Sequence, residues 1–189
     1  MKRTSLALLI TMGAMTFAGA CDTQTLTGGA APMNPQQAFE VLEALNERKK
    51  LIPSSFATLA NHYAGLRPEN CVGLSLESGA RIIVESTGTD YGMFSMRNNV
   101  GGPQLAFLYS EAPFTLQAKP LDKGSYMVFG FAEALVLEGE KSVEVPLPLK
   151  LETALSKEKP TKRPRVTLSA EGSEIRLTVG EINLALQVR

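Results

Sequence analysis

The chain has 189 residues, 44% of them hydrophobic, with no Trp, one His and a formal charge of zero from 19 basic and 19 acidic side chains. That length suffices for one domain with a real core, and the charge balance excludes nucleic-acid binding through a bulk basic surface. Beyond the N-terminal apolar run, no stretch reaches the roughly 18 residues of a membrane-spanning helix; the longest, residues 125–132, is strand-sized.

Lys2 and Arg3 precede the apolar run Leu6-Ala7-Leu8-Leu9-Ile10-Thr11-Met12-Gly13-Ala14-Met15. The run is short for a transmembrane helix and suits the core of an export signal. Ala18-Gly19-Ala20 then leads into Cys21 and Asp22. This arrangement resembles a bacterial lipoprotein signal, in which small residues precede a cysteine that is lipidated and becomes the mature N-terminus. Ala18 stands where that family usually has Leu. The same three residues also satisfy the A-x-A rule of an ordinary signal peptide. Both readings remove residues 1–20 as a signal peptide and differ only in the fate of Cys21. A mitochondrial import signal is disfavoured, because only two early basic residues occur and no amphipathic Arg pattern follows. The resemblance implies an acyl chain such as palmitate on Cys21, and a protein anchored to the cell envelope, facing the periplasm or the cell exterior. Asp22 resembles the inner-membrane retention signal of enteric lipoproteins; the choice between inner and outer membrane stays open. Loss of Lys2 and Arg3 leaves 17 basic against 19 acidic residues in a mature chain of 169, a net charge of −2.

Residues 21–34 are small, polar and glycine-containing, and read as a flexible tether. Fully stretched, residues 22–34 reach about 43 Å; any frayed terminus has the same composition. Asn34-Pro35-Gln36-Gln37 carries helix-start signals: a cap residue, Pro at the first position and Gln three after the cap. Ala38, Val41, Leu42 and Leu45 fall on one face of that helix. After Pro53, Ser54 or Ser55 can cap a second helix through Phe56, Leu59, Ala60 and Tyr63, with Gly65 as its stop. The pair predicts a helical hairpin over residues 35–66, laid on the sheet that follows.

From Cys71 the hydrophobic period changes to two. Turn clusters at 77–79, 87–90, 98–103, 121–124 and 138–140 divide about nine or ten strands. No helical pattern separates them, so residues 70–189 are expected to form an antiparallel sandwich or barrel-like sheet, and residues 35–189 one α+β unit. Residues 105–109 and 126–132 have apolar side chains of both parities and should be central strands covered on both faces. Val143, Val145, Leu147, Leu149 and Leu151 alternate with Glu144, Pro146, Pro148 and Lys150, which predicts an edge strand or a bulge. Ile175, Leu177 and Val179 share one parity while Ile182, Leu184, Leu186 and Val188 share the other, so a bulge or tight turn is expected at Gly180. Phe114, Leu116, Leu121, Gly124, Tyr126, Val128, Val143 and Val145 together resemble the L-x-x-G-x-Y-x-V strand-turn-strand of transthyretin-like and carboxypeptidase-regulatory-like β-sandwiches. That resemblance implies a structural or adhesive sandwich and brings no catalytic residues with it.

Chemistry-bearing residues are few. His62 is the only histidine, which rules out a multi-histidine zinc site; no Cys-x-x-Cys or His-Glu-x-x-His replaces it. At the end of its predicted helix His62 reads as a surface or capping residue, and a Cys71–His62 nucleophilic pair has no local signature. No nucleophile elbow, P-loop or dinucleotide fingerprint is present. No catalytic residue, metal or cofactor is expected. Asp22, Asp90 and Asp122 fall in the tether and in turns. Glu133 interrupts an apolar run and is expected at a strand end, facing out. If Cys21 carries lipid, Cys71 is left as a lone thiol that must be buried; otherwise a Cys21–Cys71 disulfide could add roughly 4 kcal/mol. Lys157, Lys159, Lys162, Arg163 and Arg165 crowd a stretch with Glu158, Pro160 and Pro164. They read as a solvated hairpin loop or as a contact with anionic headgroups or an acidic partner.

The expected function is a non-enzymatic, lipid-anchored envelope protein that is structural or binds an envelope partner. The alternative is a periplasmic carrier enclosing an apolar ligand in its β domain.

Overall fold

The computed structural model describes residues 29–45, 68–86, 94–97, 100–151 and 166–189. In chain order the elements are β1 (Ala30–Pro32), α1 (Pro35–Leu45), a 3-10 turn (Pro68–Asn70), β2 (Cys71–Leu76), β3 (Arg81–Ser86), β4 (Phe94–Arg97) and β5 (Val100–Ser110). They continue with β6 (Phe114–Leu116), β7 (Lys119–Leu121), β8 (Gly124–Gly130), β9 (Ala134–Glu138), β10 (Ser142–Pro146), β11 (Val166–Glu171), β12 (Glu174–Val179) and β13 (Ile182–Val188). All pair antiparallel. The first sheet runs β1-β2-β3-β5-β8-β9-β10 with β4 appended to β5; the second runs β11-β12-β13-β6-β7.

One hydrophobic core joins the facing sides of the two sheets, as in a β-sandwich. Ile82, Val84, Leu108, Val128, Leu135, Leu137 and Val145 come from the first sheet; Phe114, Leu116, Leu177, Val179, Ile182, Leu184 and Leu186 come from the second. Phe114 meets the Tyr126 ring edge to face at 6.1 Å, the arrangement favoured by the aromatic quadrupole. The Tyr126 hydroxyl donates to the Asp122 carbonyl at 2.8 Å, which ties β8 to the connection before it.

The first sheet is covered on its other face too. Cys71, Ile83 and Phe107 point away from the sandwich interior and are buried with Ala38 and Leu42 of α1. The helix starts as its sequence dictates: Asn34 Oδ1 accepts from the Gln36 N–H at 2.8 Å, and Asn34 O accepts from the Ala38 N–H at 3.0 Å. Gly73 allows the close approach. A Cβ there would sit 2.8 Å from Met33 Sδ and 3.1 Å from Ala38 Cβ, inside ordinary van der Waals contact.

β5 and β8 lie in the middle of the first sheet, as their apolar residues of both parities predict. A bulge between Gln104 and Ala106 turns Leu105 into the core, where it packs with Leu151 over the bare Gly130. The parity flip at Gly180 is a tight turn. Val179 pairs with Ile182, and Gly180 takes φ 58°, so both sets of apolar residues face inward across a two-residue hairpin.

Three expectations are corrected. The tether ends earlier than Asn34, because Ala30, Ala31 and Pro32 pair with Leu76, Ser75 and Leu74 as an edge strand. Nothing in their small side chains signals this; the exposed ladder of β2 recruits them. The strand beginning at Ser142 is an edge strand, but it stops at Pro146. Residues 147–151 turn across the β8–β9 corner, where the Leu147 and Leu151 N–H groups donate to Glu133 O and Ala132 O, and Leu149 is left 40% exposed. Twelve strands, β2 to β13, are found among the described residues of 70–189, more than the nine or ten expected there, because β6 and β7 are three-residue strands with little pattern to read. The predicted second helix of the hairpin lies outside the described residues, as do residues 1–28 with the expected signal peptide.

Candidate functional site

Of the residues singled out by sequence, Cys21, His62, Asp22, Asp90, Lys157, Lys159, Lys162, Arg163 and Arg165 lie outside the described residues. Asp122 is exposed in the turn before β8, where its carbonyl holds Tyr126. Glu133 faces out and lies 3.9 Å from the Lys150 amine, the strand-end position its sequence context predicts. At such exposure the pair adds little to stability. Cys71 is buried.

The structure brings forward a carboxylate that sequence reasoning passed over. Glu85 stands opposite Cys71 across β2–β3 and opposite Phe107 across β3–β5. It is 0% exposed. Its Oε1 lies 3.8 Å from Cys71 Sγ, a long, soft S–H···O contact. The same face of the sheet carries Ile83 and Phe107, buried with Ala38 and Leu42 of α1. The signal was available: in Arg81-Ile82-Ile83-Val84-Glu85-Ser86 the run is apolar at both parities up to Glu85, so a strand buried on both faces has no outward place for a carboxylate. The pair is poor nucleophile chemistry. A reactive cysteine needs an electropositive setting, and Cys71 has a carboxyl group beside it. Among the described residues no group of three or more His, Cys, Asp and Glu side chains could hold a metal ion.

A second polar cluster closes the other end of the same face. Arg81 at the start of β3 grips the Glu111 carboxylate with two nitrogens. The Arg81 N–H also donates to Glu111 Oε2, and the Glu111 N–H returns a bond to Arg81 O. The guanidinium holds the Glu111 carboxyl below the ordinary value of 4.5, against the smaller opposing pull of partial burial. Its geometry locks the β3–β5 pairing where the strands end.

Family profiles, curated proteins and solved structures offer no match to this chain. Its function rests on its own residues.

The two ends of the first sheet carry different things. Ser142 of β10 falls in the cross-strand row of Cys71, Glu85, Phe107, Met127 and Glu138, so the sheet is staggered. Ala30, Leu76, Arg81, Ser110 and Gly124 lie together at one end. At that end the chain comes into the sheet, with the Gly29 N–H donating to Glu77 Oε1 at 2.9 Å. The opposite end holds Cys71, Ser86, Gly130, Ala134 and Pro146. Leu151 is bound there to Ala132 O, and Val166 there donates its N–H to Ser86 Oγ at 3.2 Å.

Proposed function

We propose that this protein is exported, lipidated on Cys21 and held at a cell-envelope membrane, where its β domain has a structural or partner-binding role. The observation that carries the reading is the sequence of Lys2 and Arg3, a short apolar run, Ala18-Gly19-Ala20 and then Cys21. A short polar segment of residues 22–28 between that cysteine and the first strand suits a membrane tether. We also propose the α+β form in full, with a second helix after Pro53 completing a hairpin over residues 35–66 beside α1; the apolar spacing of Phe56, Leu59, Ala60 and Tyr63 supports it.

A carrier would need an apolar hollow of several hundred Å3. Among the described residues the space between the sheets is occupied by side chains such as Phe114, Leu108, Leu116, Leu135 and Leu177, which favours the structural or partner-binding role. Intact mass of the protein purified from its native membrane tests the reading. Acyl chains on Cys21, and release of a Cys21→Ser variant into the soluble fraction, are the expected results. A mature chain with an unmodified Cys21, or with Cys21 bonded to Cys71, overturns it.

A further inference from the structure

We propose that the anchored domain stands on the end where β1 comes in, with the opposite end of the sandwich facing away from the bilayer. This rests on lipidation of Cys21. In this pose the turns at 77–80 and 122–123 lie toward the membrane. The 131–133 corner and the 146–151 segment face away from it.

Three observations carry the orientation. First, the point of attachment is fixed: β1 is hydrogen-bonded to β2, Met33 N–H donates to Gly73 O at 2.8 Å, and Gly29 N–H is bound to the Glu77 side chain. Because β1 runs from Ala30 at Leu76 to Pro32 at Leu74, the preceding residues leave the sheet at the end of the Glu77 turn. Second, reach is limited. From Cys21 to Gly29 there are eight peptide units, which span at most about 28 Å when fully extended. The seven residues of β8 make the sheet about 20 Å long. An inverted domain would need most of the tether to run back along the sandwich flank. Third, the turns at the attached end carry Glu77 and Asp122 against Lys123. That balance gives no attraction to anionic lipid, so the tether and not adsorption sets how this end sits.

The test uses the full lipidated protein reconstituted in vesicles that contain an anionic lipid and a headgroup-attached quencher. Exposed Ser78 and exposed Ala132 are changed one at a time to cysteine (Ser78→Cys, Ala132→Cys) and labelled with a small fluorophore under native conditions. The unchanged protein gives the background from buried Cys71. Quenching several-fold stronger at position 78 than at 132 is expected. A further insertion of about twenty Gly and Ser residues in the tether should erase that difference, since the chain then reaches every side of the domain. Equal quenching with the native tether, or stronger quenching at 132, overturns the pose. Intact mass taken on the same sample separates the two ideas. An unmodified Cys21 overturns anchoring and pose together, whereas a lipidated Cys21 with reversed quenching overturns the pose alone.

Discussion

The two sheets draw on similar residues and differ in how many of their faces they bury. In β12 and β13 every second side chain is inside: Ile175, Leu177 and Val179, then Ile182, Leu184, Leu186 and Val188, with Arg176, Asn183, Ala185 and Gln187 on the outer face. In β3 and β8 nearly every residue is buried: one side faces the second sheet, while on the other Ile83 of β3 packs with α1 and Met127 and Phe129 of β8 cluster with Val136 of β9. A sheet covered once is written in alternation, and a sheet covered twice loses its period. The cost of the second cover is that any polar side chain in such a strand is buried as well, which is how Glu85 comes to lie in an apolar layer.

Neighbouring truncations test this contrast most directly. Phe107→Ala and Leu108→Ala remove adjacent residues on opposite faces of β5, both buried; each should cost about 3–5 kcal/mol in denaturant unfolding. In β13, Leu186→Ala should cost about 2–4 kcal/mol, while its exposed neighbour Gln187→Ala should stay within about 0.5 kcal/mol. A small effect of Phe107→Ala would show that the outer face of the first sheet is not a second core.

The next largest effect belongs to the turn that lets β12 and β13 share a face. Gly180 has φ 58°, so Gly180→Val should destabilise by about 1–3 kcal/mol through backbone strain. An unchanged unfolding midpoint would mean that the hairpin does not depend on that conformation.

At the end of the doubly covered sheet, Glu111→Gln should cost about 1 kcal/mol near neutral pH, discounted because Arg81 is partly exposed. The Glu111 carboxyl is held below its ordinary 4.5 in the folded protein. Its contribution is therefore complete above that ordinary value and is lost as pH falls through the lowered one. Unfolding curves of the two proteins should differ at pH 7 and converge in acid.

The smallest effect is a gain. The turn between β6 and β7 places Gln117 at φ 49° and Ala118 at φ 60°, left-handed values that hairpins of this kind usually give to Asn and Gly. Ala118→Gly should stabilise by about 0.5–1 kcal/mol, less the added freedom of the unfolded chain. A lower midpoint would show that the turn carries no strain.

The same contrast explains what the sequence could tell. The alternating strands of the second sheet, the parity flip at Gly180, the capped start of α1 and the central place of β5 and β8 all follow from short-range pattern. What escaped depends on contacts between distant parts of the chain. Ala30–Pro32 is a strand only because β2 offers an open ladder. Three-residue β6 and β7 have no period to detect; the place of β6 beside β13 is fixed by pairing across some seventy residues of chain, and β7 follows it as a hairpin. Glu85 was legible in principle, since its strand has no polar face, whereas its approach to Cys71 needed the β2–β3 register.

The β6–β7 hairpin has a further consequence for how the molecule opens. The chain leaves the first sheet after β5, supplies two strands to the second, and returns to the first as β8. β5 and β8 are direct neighbours, and β6 pairs with β13, so separating the sheets would pull on the middle of the first one. The two layers are thus stitched into a single cooperative unit. In native-state hydrogen exchange the slowest amides of β8 and of β13 should report the same opening free energy, with the same dependence on denaturant.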